Sequence, residues 1–227
     1  MDVSRLPTRT PLDKILNGGL ENDTITNVYG PPGCGKTNIA LCATLSALPS
    51  GKVAYIDTEG SFSAERFRQL GGGTKEMKNV LLSEVHDWEE QNAAVQKLEK
   101  LAETEKISLV VIDSLVALYR LNLDESNFPL VNKQLATQYS VLSKISRIHK
   151  IPVLVTNQVY TKDDKIELTS RTIARYWSKT LIELKRLDKD NHRVAIMRKH
   201  RSIPEGRAIE FKITEKSLEE TGKFNIF

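Results

Sequence analysis

Cysteine is scarce in this chain: only Cys34 and Cys42 occur among 227 residues. If one helix carries both, the eight-residue separation at about 1.5 Å per residue puts them about 12 Å apart, beyond the reach of a disulfide. That usage fits a reduced, cytoplasmic protein. No apolar run approaches the roughly 18 residues of a membrane span, so no membrane partner is expected. The opening stretch MDVSRLPTRT lacks the apolar core of a signal peptide. Internal repeats, low-complexity tracts and linker-like stretches are missing too, so residues 1–227 read as one large α/β domain with a full core. Apolar content of 40% and charged content of 27% are ordinary for a globular protein, which leaves the function to be read from motifs.

The net charge of +4 is unevenly placed. Residues 1–159 carry 17 Lys/Arg against 18 Asp/Glu, whereas residues 160–227 carry 16 against 11. The excess peaks in residues 171–201, with ten basic residues against three acidic. Such a stripe suits a nucleic-acid footprint or a solvated lysine-rich face.

Hydrophobic periodicity alternates strand and helix. Strands are expected at 24–30, 52–57, 79–85, 108–113 and 151–158, with helices over 36–48, from 63 to 70, around 88–105 and over 129–149. In the last helix Leu135, Tyr139, Leu142, Ile145 and Ile148 recur at three- and four-residue spacing and form an apolar stripe. Beyond 158 the rhythm changes: an antiparallel hairpin is expected around 179–199 and one more strand over 207–214. Apolar strands joined by helices are parallel and buried on both faces. With right-handed crossovers this gives an α/β fold, a doubly wound, mostly parallel sheet with helices on both faces and an antiparallel C-terminal edge.

Gly30-Pro31-Pro32-Gly33-Cys34-Gly35-Lys36-Thr37 fits G-x-x-x-x-G-K-[ST], a phosphate-binding P-loop. Its glycines let successive N–H groups point inward as an anion nest, and the following helix N-terminus adds positive potential. Lys36 would reach the β- and γ-phosphates of ATP, the Thr37 hydroxyl would ligate Mg²⁺, and Asn38 continues the loop into the helix. The strand LVVID ends in Asp113, the second Mg²⁺ candidate, but the next residue is Ser114, where many nucleotide hydrolases carry a water-activating glutamate. A base must then come from another strand end on the phosphate side. Asp57 and Glu59 follow the second strand, Glu84 ends the third, and Asn157-Gln158 end the fifth. Glu59, past the strand and before a glycine, can project into the site, or it can cap the helix that begins near 63. Asp57 lies on the strand itself. Gln158 is no strong base, but its amide can donate to a γ-phosphate.

At these residues the chain resembles the RecA/RadA recombinase superfamily, through TPLDKILNGGLENDTITNVYGPPGCGKT, YIDTEGSFSAERFRQL, LVVIDSLVALYR and TNQV. The matching stretches cover nearly all of residues 10–158. The resemblance implies a RecA-like ATPase core in which Glu59 is the base, Gln158 senses the γ-phosphate, Lys36 completes the catalytic set, and Arg66 and Gln69 line the adenine.

Against that family the chain begins almost directly at the core, so neither the N-terminal helix-hairpin-helix domain nor the linker phenylalanine motif is expected. No glycine lies between Gly73 and Gly206, although the family's DNA loops are glycine-rich. Here those loops fall at about 120–133 and 160–172, each nearly charge-balanced, with Tyr160 able to stack on a base or to pack. Lys199-His200-Arg201 replaces the family's aspartate-containing ATP cap; the two cations could meet ATP across an interface or extend the basic stripe.

This core-only form is similar to archaeal RadA paralogues that bind DNA, hydrolyse ATP weakly and drive no strand exchange. The resemblance therefore implies an accessory protein of homologous recombination and DNA repair. Its expected partners are single-stranded or branched DNA, the RadA recombinase or a Holliday-junction nuclease, and a second copy held weakly through the ATP interface. Two alternatives stand beside it: a KaiC-like regulatory ATPase, and an ATP-bound interaction module for a recombinase or junction nuclease.

Overall fold

The computed structural model describes residues 4–226 except 163, 164, 169, 223 and 224, and it describes side chains except at 160–169, 171 and 223–227. Tyr160 and most of the expected second loop therefore lie outside the described side chains.

Strand β1, Ile25–Tyr29, runs through the P-loop into helix α1, Lys36–Ala47. There follow β2 (Lys52–Asp57), α2 (Ala64–Gln69), β3 (Val80–Glu84), α3 (Trp88–Thr104) and β4 (Ile107–Asp113). Helices α4 (Ala117–Asn122) and α5 (Phe128–His149) lead to β5, Val153–Asn157. After α6 (Arg171–Trp177) come β6 (Thr180–Arg186), β7 (His192–Lys199), β8 (Arg207–Ile213) and β9 (Leu218–Glu220), and β10 (Asn225–Ile226) pairs with β8. The sheet order is β9-β8-β7-β6-β1-β5-β4-β2-β3. Strands β6, β1, β5, β4, β2 and β3 are parallel neighbours, and β7 to β9 run antiparallel. The expected hairpin is thus half in the parallel sheet: β6 pairs with β1.

Alternating side chains divide the central strands between two cores. Val28, Val53, Tyr55, Leu109, Val111 and Leu154 pack with Ile39, Leu41 and Leu45 of α1. Ala54, Ile56, Val110, Ile112, Val153 and Val155 pack with α3 and α5 on the other face. Each fully buried aliphatic side chain stabilises by about 1.5–3 kcal/mol, so the strand ends that carry the polar site rest on a rigid base.

Several expectations change. Ile148 is 62% exposed, so the α5 stripe ends at Ile145, one turn before the helix does. Strand β3 ends the sheet, where helix cover runs out; it is only half buried, and Leu82 is exposed. The expected first loop at 120–133 shrinks to the residues between Asn122 and Phe128, because Asp124 and Asn127 fold it into a tight turn. Asp124 Oδ1 accepts from the Ser126 and Asn127 amides at 2.7 and 3.0 Å. Asn127 Oδ1 accepts from the Asp124 amide at 2.9 Å. In the region of the second loop a β-ribbon, Val159–Lys162 with Lys165–Leu168, precedes α6.

Part of the basic edge is engaged within the molecule. Arg198 pairs with Glu183 at 2.6 Å, and Lys199 Nζ donates to the Ser178 carbonyl at 2.8 Å and to that of Arg175. Arg201 bonds both Asp23 oxygens at 2.8 and 3.1 Å and reaches Glu21 at 2.9 Å. Neither Lys199 nor Arg201 is a spare cation. Glu21 is buried and faces Arg5 at 3.3 Å and His200 Nε2 at 3.7 Å. His200 Nδ1 accepts from the amides of Ser202 and Ile203 at 3.0 and 3.1 Å, which fixes it as the unprotonated nitrogen.

Burial pushes the His200 pKa down against the opposing pull of Glu21, and Arg201, Arg5 and Arg207 lower it further. The folded state then binds fewer protons than the unfolded state below the unfolded value of about 6.5. This contribution to stability is present above that value and is lost as pH falls through the folded one. Urea unfolding at about pH 7.5 and about pH 5.5 should show the loss, and His200→Gln should flatten it. An unchanged pH slope in that variant would contradict the assignment.

Candidate functional site

The site lies where β1, β2, β4 and β5 end. Gly33 and Gly35 have φ of 70° and 101°, values that a side chain would strain, and they let the loop turn back over the start of α1. Lys36 Nζ donates to the carbonyls of Gly30 and Pro31 at 2.9 and 3.1 Å. Cys34 is fully buried beneath the loop, and burial pushes its thiol pKa up despite the nearby Lys36; it packs. It precedes α1, so only Cys42 lies on that helix, and both cysteines are free. A cavity of about 240 Å³ is lined by Pro32, Gly33, Gly35, Lys36, Thr37, Asn38, Glu59, Asp113 and Gln158. The P-loop thus meets both carboxylates and the amide expected from sequence.

Asp113 is buried and accepts four hydroxyl donors. Thr37, Tyr55 and Ser61 reach Oδ2 at 2.7, 3.1 and 3.0 Å, and Thr156 donates to Oδ1. Burial raises the Tyr55 pKa, with Asp113 adding to the effect, so the phenol stays a donor. Among the described residues no cation pairs with Asp113. A buried carboxylate served only by hydroxyls, one of them Thr37 at the P-loop, is an oxygen donor set of the kind a hard divalent ion takes. No cluster of three or more His, Cys, Asp or Glu that could hold a metal occurs among the described residues.

Strand register decides where the second carboxylate falls. Asp57 on β2 pairs with Asp113 on β4, which sets Thr58 and Glu59 beside Ser114. The Ser114 amide donates to Thr58 Oγ1 at 2.9 Å, and Thr58 Oγ1 donates to the Ser114 carbonyl at 2.7 Å. The Ser114 hydroxyl donates to Glu59 Oε1 at 2.6 Å, while Gln158 Nε2 donates to Glu59 Oε2 at 2.8 Å. The serine that stands beside Asp113 therefore orients a carboxylate delivered from the neighbouring strand. The peptide bond between Asp113 and Ser114 is cis.

Asp57 has a different role. Its carboxylate accepts the amides of Glu59 and Ser61, both at 3.1 Å, and of Phe62 at 2.8 Å, folding the turn after β2. The helix cap that Glu59 could have provided comes from Ser63, whose Oγ accepts the Arg66 amide at 3.1 Å. Glu84, at the sheet edge, is not among the residues lining the cavity.

Arg66 and Gln69 stand beside the cavity without lining it. Arg66 Nε donates to Asn38 Oδ1 at 2.6 Å, Nη1 to Gln69 Oε1 at 3.0 Å, and Nη2 to the Thr214 carbonyl at 2.9 Å. The guanidinium thus joins α1, α2 and the turn after β8.

Known proteins match this arrangement along its length. The Rad51 family profile matches residues 7–221. The chain belongs to the Rad51 family. Within that family its similar relatives carry the name "DNA repair and recombination protein RadB". The Methanobrevibacter smithii protein is 38% identical, with 96% of each chain covered. The Methanococcus maripaludis protein is 42% identical, with 92% of this chain and 96% of the relative covered. A solved structure described as the RadB recombinase is 37% identical, with a TM-score of 0.81 over 96% of this chain and 100% of that one. As a member of the Rad51 family, with RadB proteins as its matching relatives, the chain has a RecA-like fold. Among the described residues no helix is long and apolar enough to cross a membrane.

Sequence reading of this Rad51-family site missed the residues that serve it from a distance. Tyr55, Ser61 and Thr156 look like ordinary strand or turn residues, and only the register brings them to Asp113. Arg193 donates to the Gly33 carbonyl at 3.0 and 3.3 Å, and Arg186, its register partner on β6, lies against Gly33. The charge excess at 171–201 was visible, but its attachment to the crest of the P-loop was not.

Proposed function

We propose that this chain is an ATP-binding and DNA-binding accessory protein of homologous recombination and DNA repair, a slow ATPase without strand-exchange activity, built as one RecA-like core domain. The observation that carries the reading is the Glu59 carboxylate held by Ser114 and Gln158 at the mouth of the P-loop cavity. The backbone N–H groups of Gly33, Gly35, Lys36, Thr37 and Asn38, with the Lys36 ammonium, would receive the phosphates, and Thr37 and Asp113 would hold Mg²⁺. Bound Mg²⁺ supplies charge neutralisation on the phosphate oxygens. Glu59 takes the proton of the attacking water, and the Gln158 amide, already in the cavity wall, reads the terminal phosphate. Asn38 lines the cavity and is bonded to Arg66, which supports placing the adenine beside Arg66 and Gln69.

The names of the RadB relatives support the repair and recombination role, and with it DNA as partner, single-stranded or branched. A RadA-type recombinase or a junction nuclease is the protein partner in this reading, with weak self-association through the ATP surface. Among the described residues no contact favours a KaiC-like regulatory role or a purely structural use of ATP.

Titration of single-stranded, duplex and branched DNA over a range of salt, with and without ATP, tests the DNA half. Because Lys199, Arg201 and Arg198 are internally engaged and the loops are nearly charge-balanced, the salt slope should be shallow, about −1 to −2 in log–log form, which corresponds to about one to three phosphates. No binding to any of the three at low salt would remove DNA from the reading.

A further inference from the structure

The Gly33 carbonyl, at the crest of the P-loop, is gripped by a residue that does not line the cavity. Arg193 on β7 donates to it from Nε at 3.3 Å and from Nη2 at 3.0 Å, while Nη1 donates to the His192 carbonyl at 2.8 Å. Anchored on two carbonyls, the guanidinium has little freedom to turn. Arg186 on β6 stands directly opposite Arg193 in the ladder, and its Nη2 fills the place that a Gly33 side chain would take. Like charges facing each other across a sheet are destabilising. Burial lowers the Arg193 pKa and Arg186 lowers it further. Among the described residues neither arginine pairs with a carboxylate. Strand pairing therefore gives no reason for the two cations, whereas the loop carbonyl does.

A trans peptide, as between Gly33 and Cys34, points its C=O and the following N–H in opposite directions. With the Gly33 oxygen drawn towards Arg193, the Cys34 N–H turns back into the loop, where it reaches the Pro31 carbonyl at 3.4 Å. That bond is long, and Lys36 Nζ already donates to the same oxygen at 3.1 Å. The Cys34 N–H is thus weakly held, and a phosphate oxygen can take it. A cation on the carbonyl also polarises the peptide and strengthens its N–H as a donor.

We propose that Arg193 is a positioning residue for the phosphate loop: by holding the Gly33 carbonyl outward, it keeps the Cys34 N–H turned inward as a ready donor to a polyphosphate. The inference rests on the reading of the P-loop as the ATP site and adds to it one donor, Cys34, and one brace, Arg193. Arg193 itself touches no phosphate in this scheme. It lowers the cost of binding, because the peptide needs no reorientation when the nucleotide arrives.

The scarcity of cysteine makes this measurable, since ¹⁵N-cysteine labels only the amides of Cys34 and Cys42, and Cys42→Ala assigns them. Saturating the wild type with a non-hydrolysable ATP analogue should move the Cys34 amide proton downfield and move that of Cys42, on α1, less. Arg193→Met keeps the stem and removes the donors. In the free chain it should shift the Cys34 signal and leave Cys42 in place. It should also weaken the analogue by about 10-fold, the lower end for a hydrogen bond to a charged group. Arg193→Lys, which restores one charged donor, should recover part of the affinity. The inference is overturned if the wild-type Cys34 amide ignores the bound analogue, a result that does not depend on how the variants fold. Wild-type affinity in Arg193→Met overturns it as well. Analogue binding that Lys36→Ala weakens and Arg193→Met does not would sink the brace alone. A wild type that binds no analogue would sink both the brace and the ATP reading.

Discussion

Lys36→Ala is expected to weaken ATP binding by about 30-fold or more while leaving the chain folded. Lys36 is the ammonium group lining the cavity, and the Gly30 and Pro31 carbonyls already hold it beside the nest. Removing one partner of an enclosed charge pair costs about 2–5 kcal/mol, and each 1.4 kcal/mol is about tenfold in affinity. The core under α1 does not include this side chain, so circular dichroism and the urea midpoint should change little. Titration with a fluorescent ATP analogue reads the effect. Equal affinity in the variant and the wild type would remove the P-loop as the nucleotide site.

Glu59→Gln should retain ATP and lose turnover by about 10²–10⁴-fold, the range of general-base contributions. The amide matches the carboxylate in size and can still accept from Ser114, but it takes no proton from water. Asp57→Asn makes the contrasting case. Its carboxylate is spent on three backbone amides, so the variant should lower the unfolding midpoint, with a loss of about 1–3 kcal/mol for groups left unpaired. If Asp57→Asn folds normally and stops turnover while Glu59→Gln does not, the carboxylates have been assigned the wrong way round.

The elements of the parallel sheet were legible because their apolar runs are long and their turns carry glycine or polar punctuation. Strands at 52–57 and 108–113 emerge within a residue of their expected bounds. The P-loop was legible for a related reason: its spacing encodes a backbone shape. Glu59 was legible as a candidate from its place past a strand end, but nothing in the sequence says that Ser114 and Gln158 grip it. That follows from the Asp57–Asp113 register, which pairs residues 56 positions apart. The edge was less legible. Charge counting across 171–201 shows an excess but not where each side chain goes. In the fold, Lys199 caps carbonyls, Arg201 closes on Glu21 and Asp23, and Arg193 braces Gly33. Short elements such as α4 and the ribbon beginning at Val159 escaped because a few residues carry too little periodicity to stand apart from loop.

The most direct test of the account is equilibrium titration of the wild-type chain with a non-hydrolysable ATP analogue, with and without Mg²⁺, beside Thr37→Val. One saturable site per chain is expected, tighter with Mg²⁺, with loss of most of the Mg²⁺ dependence when the Thr37 hydroxyl is removed. Binding that ignores both Mg²⁺ and Thr37, or no saturable binding at millimolar analogue, would contradict it.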